Sequence, residues 1–202
     1  MNYKLLTQFE GMLSDYTGAP FVILTDSCTH AIELCLRHQK YEGPIILPHR
    51  TYVSIPMTMH KLGLEIYWDK EYNWDYEYRI APTNIWDSAR AFDENMYVSG
   101  RMQCLSFGHD KRLAIGHGGA ILLDSRADYM SLKPKAYDGR RIAEYVPWNK
   151  QEIWYVGYHY NMRLEDAAKG IDLMQHLDEL PNKKSQLKLY PDVSILNINI
   201  DK

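Results

Sequence analysis

Short apolar runs of strand length recur along this chain, and the early ones are separated by stretches with a helical period. The runs are PFVILT (20–25), PIILP (44–48), EIYWD (65–69), TNIWD (83–87), QCLSF (103–107) and AILLD (120–124). Strands that are apolar on both faces must be covered on both, so this pattern predicts an α/β fold with a mixed, mostly parallel sheet flanked by helices. Leu5, Phe9, Leu13 and Tyr16 recur at three- and four-residue spacing and predict a helix over 3–16, closed by Gly18. A second helix is predicted over 27–40, with Ala31, Leu34 and Cys35 on one side. A third is predicted over 52–63, where Pro56 suits a first turn. The link between 107 and 120 is too short for a helical crossover, so those two runs are expected to turn back antiparallel. A long helix is predicted over 163–180, with Ala167, Ile171, Met174 and Leu177 facing the core and Pro181 stopping it. A closing strand is expected over 193–200. No repeat, low-complexity tract or linker divides the chain, and 1–202 reads as one domain.

Composition narrows the function classes. A net charge of −3 gives no reason to expect a nucleic-acid partner, which needs a basic face. No apolar run approaches the roughly 20 residues that span a bilayer, and the first 18 residues have a helical period rather than a leader's apolar core. Cys28, Cys35 and Cys104 lack CxxC or C/H ligand spacing and read as reduced core hydrophobes, so a cytoplasmic protein without a metal site is expected. The 16 tyrosines and 5 tryptophans hint at an interface or a lined pocket. GxGxxG, P-loop and GxSxG motifs are absent.

The chemistry concentrates in residues 85–124. Asp87 ends one strand-like run, Ser106 ends the next, Lys111 follows, and Gly116-His117-Gly118-Gly119 leads into a further strand. A lysine and a carboxylate at neighbouring strand ends suit a Schiff-base lysine paired with an acid that keeps a pyridine nitrogen protonated. Each residue also has a plainer reading. Lys111 can be a solvated loop lysine and Asp87 a turn or cap aspartate. Ser27, Cys28, Thr29 and His30 open the second helix, whose free N–H groups suit a phosphate, although Asp26 or Ser27 can simply cap it. Asp26 would repel a phosphate unless its side chain turns away. Tyr52 follows the second strand and can stack on a flat ring or be one tyrosine among many. His109 can orient or move a proton, or be an ordinary loop residue.

In order, these blocks resemble the DegT/DnrJ/EryC1/StrS family of pyridoxal phosphate (PLP)-dependent aminotransferases, which make amino sugars on nucleotide carriers. TDSCTHAIELCL is similar to the family's phosphate-binding turn, with Cys28 and His30 at its Gly and Ala places. LPHRTYVSIP resembles P-x-x-T-[FWY]-x-[AS], and WDSARA with SFGHDKRLAIGHGGAILLD resembles D-x-A-Q-A and S-F-x-x-x-K through G-G-A. GYHYNMRLEDAAKGIDLMQ resembles the G-Y-N-x-R-M block and its helix. The resemblance implies a fold type I PLP-transferase large domain. Residues 181–202 would then be the remnant or start of a small C-terminal domain that is otherwise largely missing. It further implies Lys111 and Asp87 as catalytic residues and Ser27, Cys28, Thr29, His30, Tyr52, Arg90 and Ser106 as cofactor contacts. Arg90 stands where the family has glutamine, near the cofactor's ring hydroxyl. Asn161 and Arg163 are implied to reach across a homodimer with shared active sites. The implied reaction moves an amino group from glutamate or glutamine to a keto-sugar nucleotide. Other PLP chemistry, such as dehydration or action on a small amino acid, stays open, as does a non-catalytic PLP-binding or interaction protein.

Overall fold

The computed structural model describes residues 3–141, 146–180 and 190–196. The first predicted helix is α1 (Lys4–Thr17), with Leu6, Phe9 and Leu13 buried on one face. Gly18, at φ 77°, ends it by donating its N–H to the Ser14 carbonyl. Next come β1 (Phe21–Thr25), α2 (Cys28–Gln39), β2 (Ile45–Pro48), α3 (Ser54–Lys61) and β3 (Ile66–Asp69). Pro56 lies in the first turn of α3, where a missing N–H breaks no helical hydrogen bond. The chain continues through β4 (Tyr78–Arg79), β5 (Ile85–Asp87), β6 (Met102–Ser106), β7 (Gly119–Leu123), α4 (Arg126–Ala136) and α5 (Leu164–Gln175).

One sheet has the order β1-β7-β6-β5-β4, and β2 pairs with β3 in a second. The sheet is mixed. β1, β6 and β5 share one direction, whereas β7 and β4 run against it, so β5–β6 is the parallel pair within the larger sheet. β2–β3 is also parallel, and an Ile46–Ala81 bridge ties that pair to the segment between β4 and β5. β6 and β7 turn back antiparallel as expected, with Ser106 opposite Gly119. The larger sheet's central strands β6 and β7 are almost wholly buried, and α2 packs against both.

Three expectations are corrected. Among the described residues the larger sheet is mostly antiparallel rather than mostly parallel, because β7 turns back between β1 and β6 and β4 folds against β5, leaving three of its four pairings antiparallel. The helix predicted over 163–180 ends at Gln175, because His176 leaves helical geometry at φ −118°. A separate 3-10 turn follows at Leu177–Glu179, and Leu177 is still buried as predicted. The strand predicted over 193–200 begins instead as a 3-10 turn, Val193–Ile195. Asp192 caps that turn through the Ser194 N–H, and the Val193 N–H goes to the His49 carbonyl. Residues 197–200 and Pro181 lie outside the described residues. Two further elements carry little sequence signal. β4 is two residues long, and α4 buries only Leu132 and Ala136.

Candidate active site

Because β1, β5 and β6 share a direction, Thr25, Asp87 and Ser106 end at one side of the sheet. The loops beyond them open into one cavity of about 710 Å³. Carboxyl ends of strands are where α/β sheets gather ligands. Ser27, Cys28, Thr29, Tyr52, Asp87, Arg90, Ser106 and Lys111 line this cavity; His30, Asn161 and Arg163 do not.

Asp87 forms the floor and is buried. Its Oδ1 accepts the Ala89 N–H at 3.0 Å and faces the Cys28 thiol at 3.9 Å, while its Oδ2 accepts the Tyr78 hydroxyl at 2.9 Å. Burial pushes this carboxyl above the usual range, against the pull of those donors and of the Lys111 and Arg90 charges. All three donors are neutral, so the acid's charge is left for a cation entering the cavity to meet. Burial, reinforced by Asp87, also pushes the Cys28 thiol well up, which keeps it protonated.

Lys111 lies in the β6–β7 loop, its N–H bonded to the Gly108 carbonyl. Its Nζ is 3.3 Å from Asp110 Oδ1, and Asp110 Oδ2 accepts Arg90 Nη2 at 2.9 Å. Arg90 also donates from Nε to the Tyr190 hydroxyl at 2.9 Å, with its guanidinium 5.2 Å from that ring's centre. Partial burial would raise the Asp110 carboxyl, but Lys111 and Arg90 more than offset it and hold the group below the usual carboxylate range. The glycine turn sets where this loop begins and ends. Gly118 sits at φ 127°, and a Cβ on Gly119 would come within 2.5 Å of the Cys28 nitrogen and 2.8 Å of the Leu105 carbonyl oxygen. Only glycine lets β7 start against the first turn of α2, and that contact brings the helix N-terminus beside the lysine loop.

At that helix start, Ser27 is the cap: its Oγ accepts the His30 N–H at 3.2 Å and donates to Asp26 Oδ1 at 3.2 Å. Thr29 Oγ1 and Ser54 Oγ lie 2.7 Å apart. His30 turns toward Asp26, with Nδ1 2.6 Å from Oδ1, and its ring stacks on Tyr160 at 3.7 Å between centres. The aspartate that would oppose a phosphate is therefore engaged by the histidine beside it. Tyr52 sits at the rim, 58% exposed. Arg163 caps α5 and pairs with Asp166 at 2.8 Å and 3.0 Å, while Asn161 Oδ1 is buried without a partner. Sequence reasoning missed Thr51, Trp74, Tyr78, Asp110 and Tyr190. The one available signal was the alternation at Tyr78-Arg79-Ile80, which places Tyr78 and Ile80 inward and Arg79 outward.

The residues fit PLP. A buried acid with only neutral donors awaits a ring N–H, an amine faces the same space, and Ser106 and a helix N-terminus offer phosphate contacts. Among the described residues, no His, Cys, Asp or Glu group could hold a metal, and no helix is long and apolar enough to cross a membrane.

The fold is that of the large domain of fold type I PLP-dependent transferases. The profile of the DegT/DnrJ/EryC1/StrS aminotransferase family matches residues 1–69 and 86–192, and the chain belongs to that family. Similar solved structures include Spr1654 from Streptococcus pneumoniae in its PMP form, at 15% identity and TM-score 0.69 over 87% of this chain and 59% of that one. 3-Amino-5-hydroxybenzoic acid synthase gives 15% identity and TM-score 0.70, over 87% of this chain and 56% of its own. DesI, solved with its TDP-sugar product, gives 17% and 0.66, over 87% and 54%. The chain thus spans little more than half the length of these proteins. Among curated proteins no sequence matches it.

Proposed function

We propose that this chain binds PLP and transfers an amino group from glutamate or glutamine to a keto-sugar nucleotide. The observation that carries the reading is the single cavity shared by buried Asp87, Lys111 and the first turn of α2. When bound, PLP supplies an electron sink for charge developing at the substrate carbon. Asp87 holds the ring nitrogen in its protonated form. Lys111 Nζ would hold the cofactor's aldehyde carbon and, as a free amine, would move a proton at the reacting carbon. Ser27, Thr29 and Ser106 hold the phosphate together with the N–H groups opening α2. Tyr52 would stack on the ring from the rim, and Arg90 would meet the ring hydroxyl. Asn161 and Arg163 lie outside their own cavity and, on this reading, serve the site of a second copy in a homodimer. The sugar-nucleotide acceptor is favoured by family membership and by the TDP-sugar product in the DesI structure. The free, buried cysteines favour the cytoplasm.

The test is direct. Purified protein given PLP and then borohydride should carry a pyridoxyl mass on Lys111, and Lys111→Ala should lose that adduct entirely. An unlabelled wild-type protein would sink the reading. Asn161→Ala should weaken PLP retention by about 10-fold, as an outer contact does, and a wild-type protein that sediments as a monomer would rule out the shared site. PLP holding without turnover is the second reading. It is favoured by Tyr190, Pro191 and Val193, which line the same cavity, a segment that Arg50 ties down by bonding the Tyr190 carbonyl at 3.1 Å. A PLP absorption band unmoved by glutamate, glutamine or other amino donors would select that reading.

A further inference from the structure

The floor of the cavity contains a hydrogen-bond chain that the family motifs do not describe. Tyr78 and Asp87 are direct partners across β4 and β5, so their side chains stand on one face of the sheet. The Tyr78 hydroxyl donates to Asp87 Oδ2 at 2.9 Å, and Thr51 Oγ1 lies 2.5 Å from the same hydroxyl. A phenol has one proton. With that proton committed to an ionised Asp87, the threonine must donate to the phenol oxygen. The direction is therefore fixed: Thr51 to Tyr78 to Asp87, each donor polarising the next. All three residues are buried.

Tyr78 lies within residues 70–85, the stretch that the family profile leaves unmatched between its two matching segments. The same stretch is anchored just before the tyrosine. Glu77 accepts Ser88 Oγ at 2.7 Å, Gln103 Nε2 at 2.9 Å and Arg101 Nη1 at 2.7 Å, while the Trp74 ring packs 4.9 Å from the Tyr78 ring. These contacts leave the phenol little freedom to turn from the carboxylate.

We propose that Tyr78, backed by Thr51, is a positioning residue that keeps Asp87 ionised and aimed at the ring nitrogen of the cofactor. This rests on the PLP reading of the cavity. A carboxylate this buried drifts toward its neutral form, and a neutral acid loses its hold on a cationic ring N–H. A donor fixed on Oδ2 opposes that drift, because a hydrogen bond to the charged form favours it. It also stops the carboxylate plane from rotating, leaving the remaining lone pairs for the ring.

The test compares PLP with its 1-deaza analogue, which has carbon in place of the ring nitrogen, binding to apoprotein followed by absorbance and equilibrium dialysis. Tyr78→Phe should weaken PLP by about 10-fold, the size expected for an outer partner of a charged contact, and change the analogue by less than about twofold. Losing the donor lets Asp87 take up a proton at higher pH, so the acid-side loss of PLP binding should also move to higher pH. Thr51→Val should shift both readouts the same way by a smaller factor, and it tests the chain even if Tyr78→Phe fails to fold. Equal weakening of both ligands, or an unchanged PLP affinity with an unmoved acid limb, would overturn the proposal. A wild-type protein that takes up neither ligand would overturn the PLP reading and the proposal with it. That outcome is distinct, because it appears before any substitution is made.

Discussion

The cavity has a dry floor and a wet mouth, and they handle charge in opposite ways. On the floor, Asp87 is 6% exposed and meets only neutral donors, so burial lifts its carboxyl above the usual range. At the mouth, the Asp110 side chain is 60% exposed and bridges two cations, Lys111 and Arg90, which hold it below the usual range. The mouth is electrostatically complete as it stands. On the floor, the Lys111 and Arg90 charges pull on the carboxyl without hydrogen-bonding it, and burial outweighs them, a cost a structural aspartate would have little reason to bear. Burial without a counter-ion is tolerated where a ligand supplies the missing charge. The contrast is what separates a binding aspartate from a surface one, and substitutions on each side can break it.

The largest effect is expected at the floor, and with two signs. Asp87→Asn should weaken PLP binding by about 3 kcal/mol, roughly 100-fold, as loss of a buried charged hydrogen-bond partner does. The same substitution should stabilise the apoprotein by about 1 kcal/mol at neutral pH. The sign follows from the direction of the shift. Below the unfolded value the acid is neutral in both states and costs nothing; as pH rises through the higher folded value the desolvation cost sets in, and it persists at neutral pH. Thermal melting of apoprotein between about pH 4 and pH 7 should therefore show the variant's advantage growing with pH. A variant less stable than wild type at pH 7, with PLP binding intact, would mean that Asp87 is a structural cap and that the floor does not differ from the mouth.

How legible this contrast was in the sequence depended on whether a contact was local. The strand ends that carry Asp87 and Ser106, and the antiparallel turn-back after Ser106, follow from apolar runs and a link length. Asp87 and Lys111 were legible as candidates because motif spacing survives in one dimension. Their neutral and charged partners were not. Tyr78 reaches Asp87 across a two-residue strand whose polar flanks hide it, and Arg90 meets Tyr190 a hundred residues away. The C-terminal end of the last helix misled because helical period persists through Leu177 while the backbone breaks at His176. His30 was read from its place at a helix start, but its ring turns to Asp26 and Tyr160, a choice made by packing.

The smallest effect is expected at the mouth. Asp110→Asn removes the anion shared by Lys111 and Arg90, yet the group is exposed and its pairs are screened, so the loss of stability should stay below about 0.5 kcal/mol. Because the folded carboxyl lies below its unfolded value, its contribution is present at neutral pH and fades as pH falls through the folded value. Salt should erase what remains, since the screening length shrinks to roughly 3 Å at 1 M. Melting curves of wild type and variant, recorded at pH 7 in low salt and in 1 M salt, should converge in the second. Arg90 keeps its bond to the Tyr190 hydroxyl in either case. A loss of stability above about 1 kcal/mol, unmoved by salt, would show that the mouth's ion cluster is as desolvated as Asp87. The cavity would then be closed at both ends, and the segment carrying Tyr190 would be part of its wall rather than a cover at its edge.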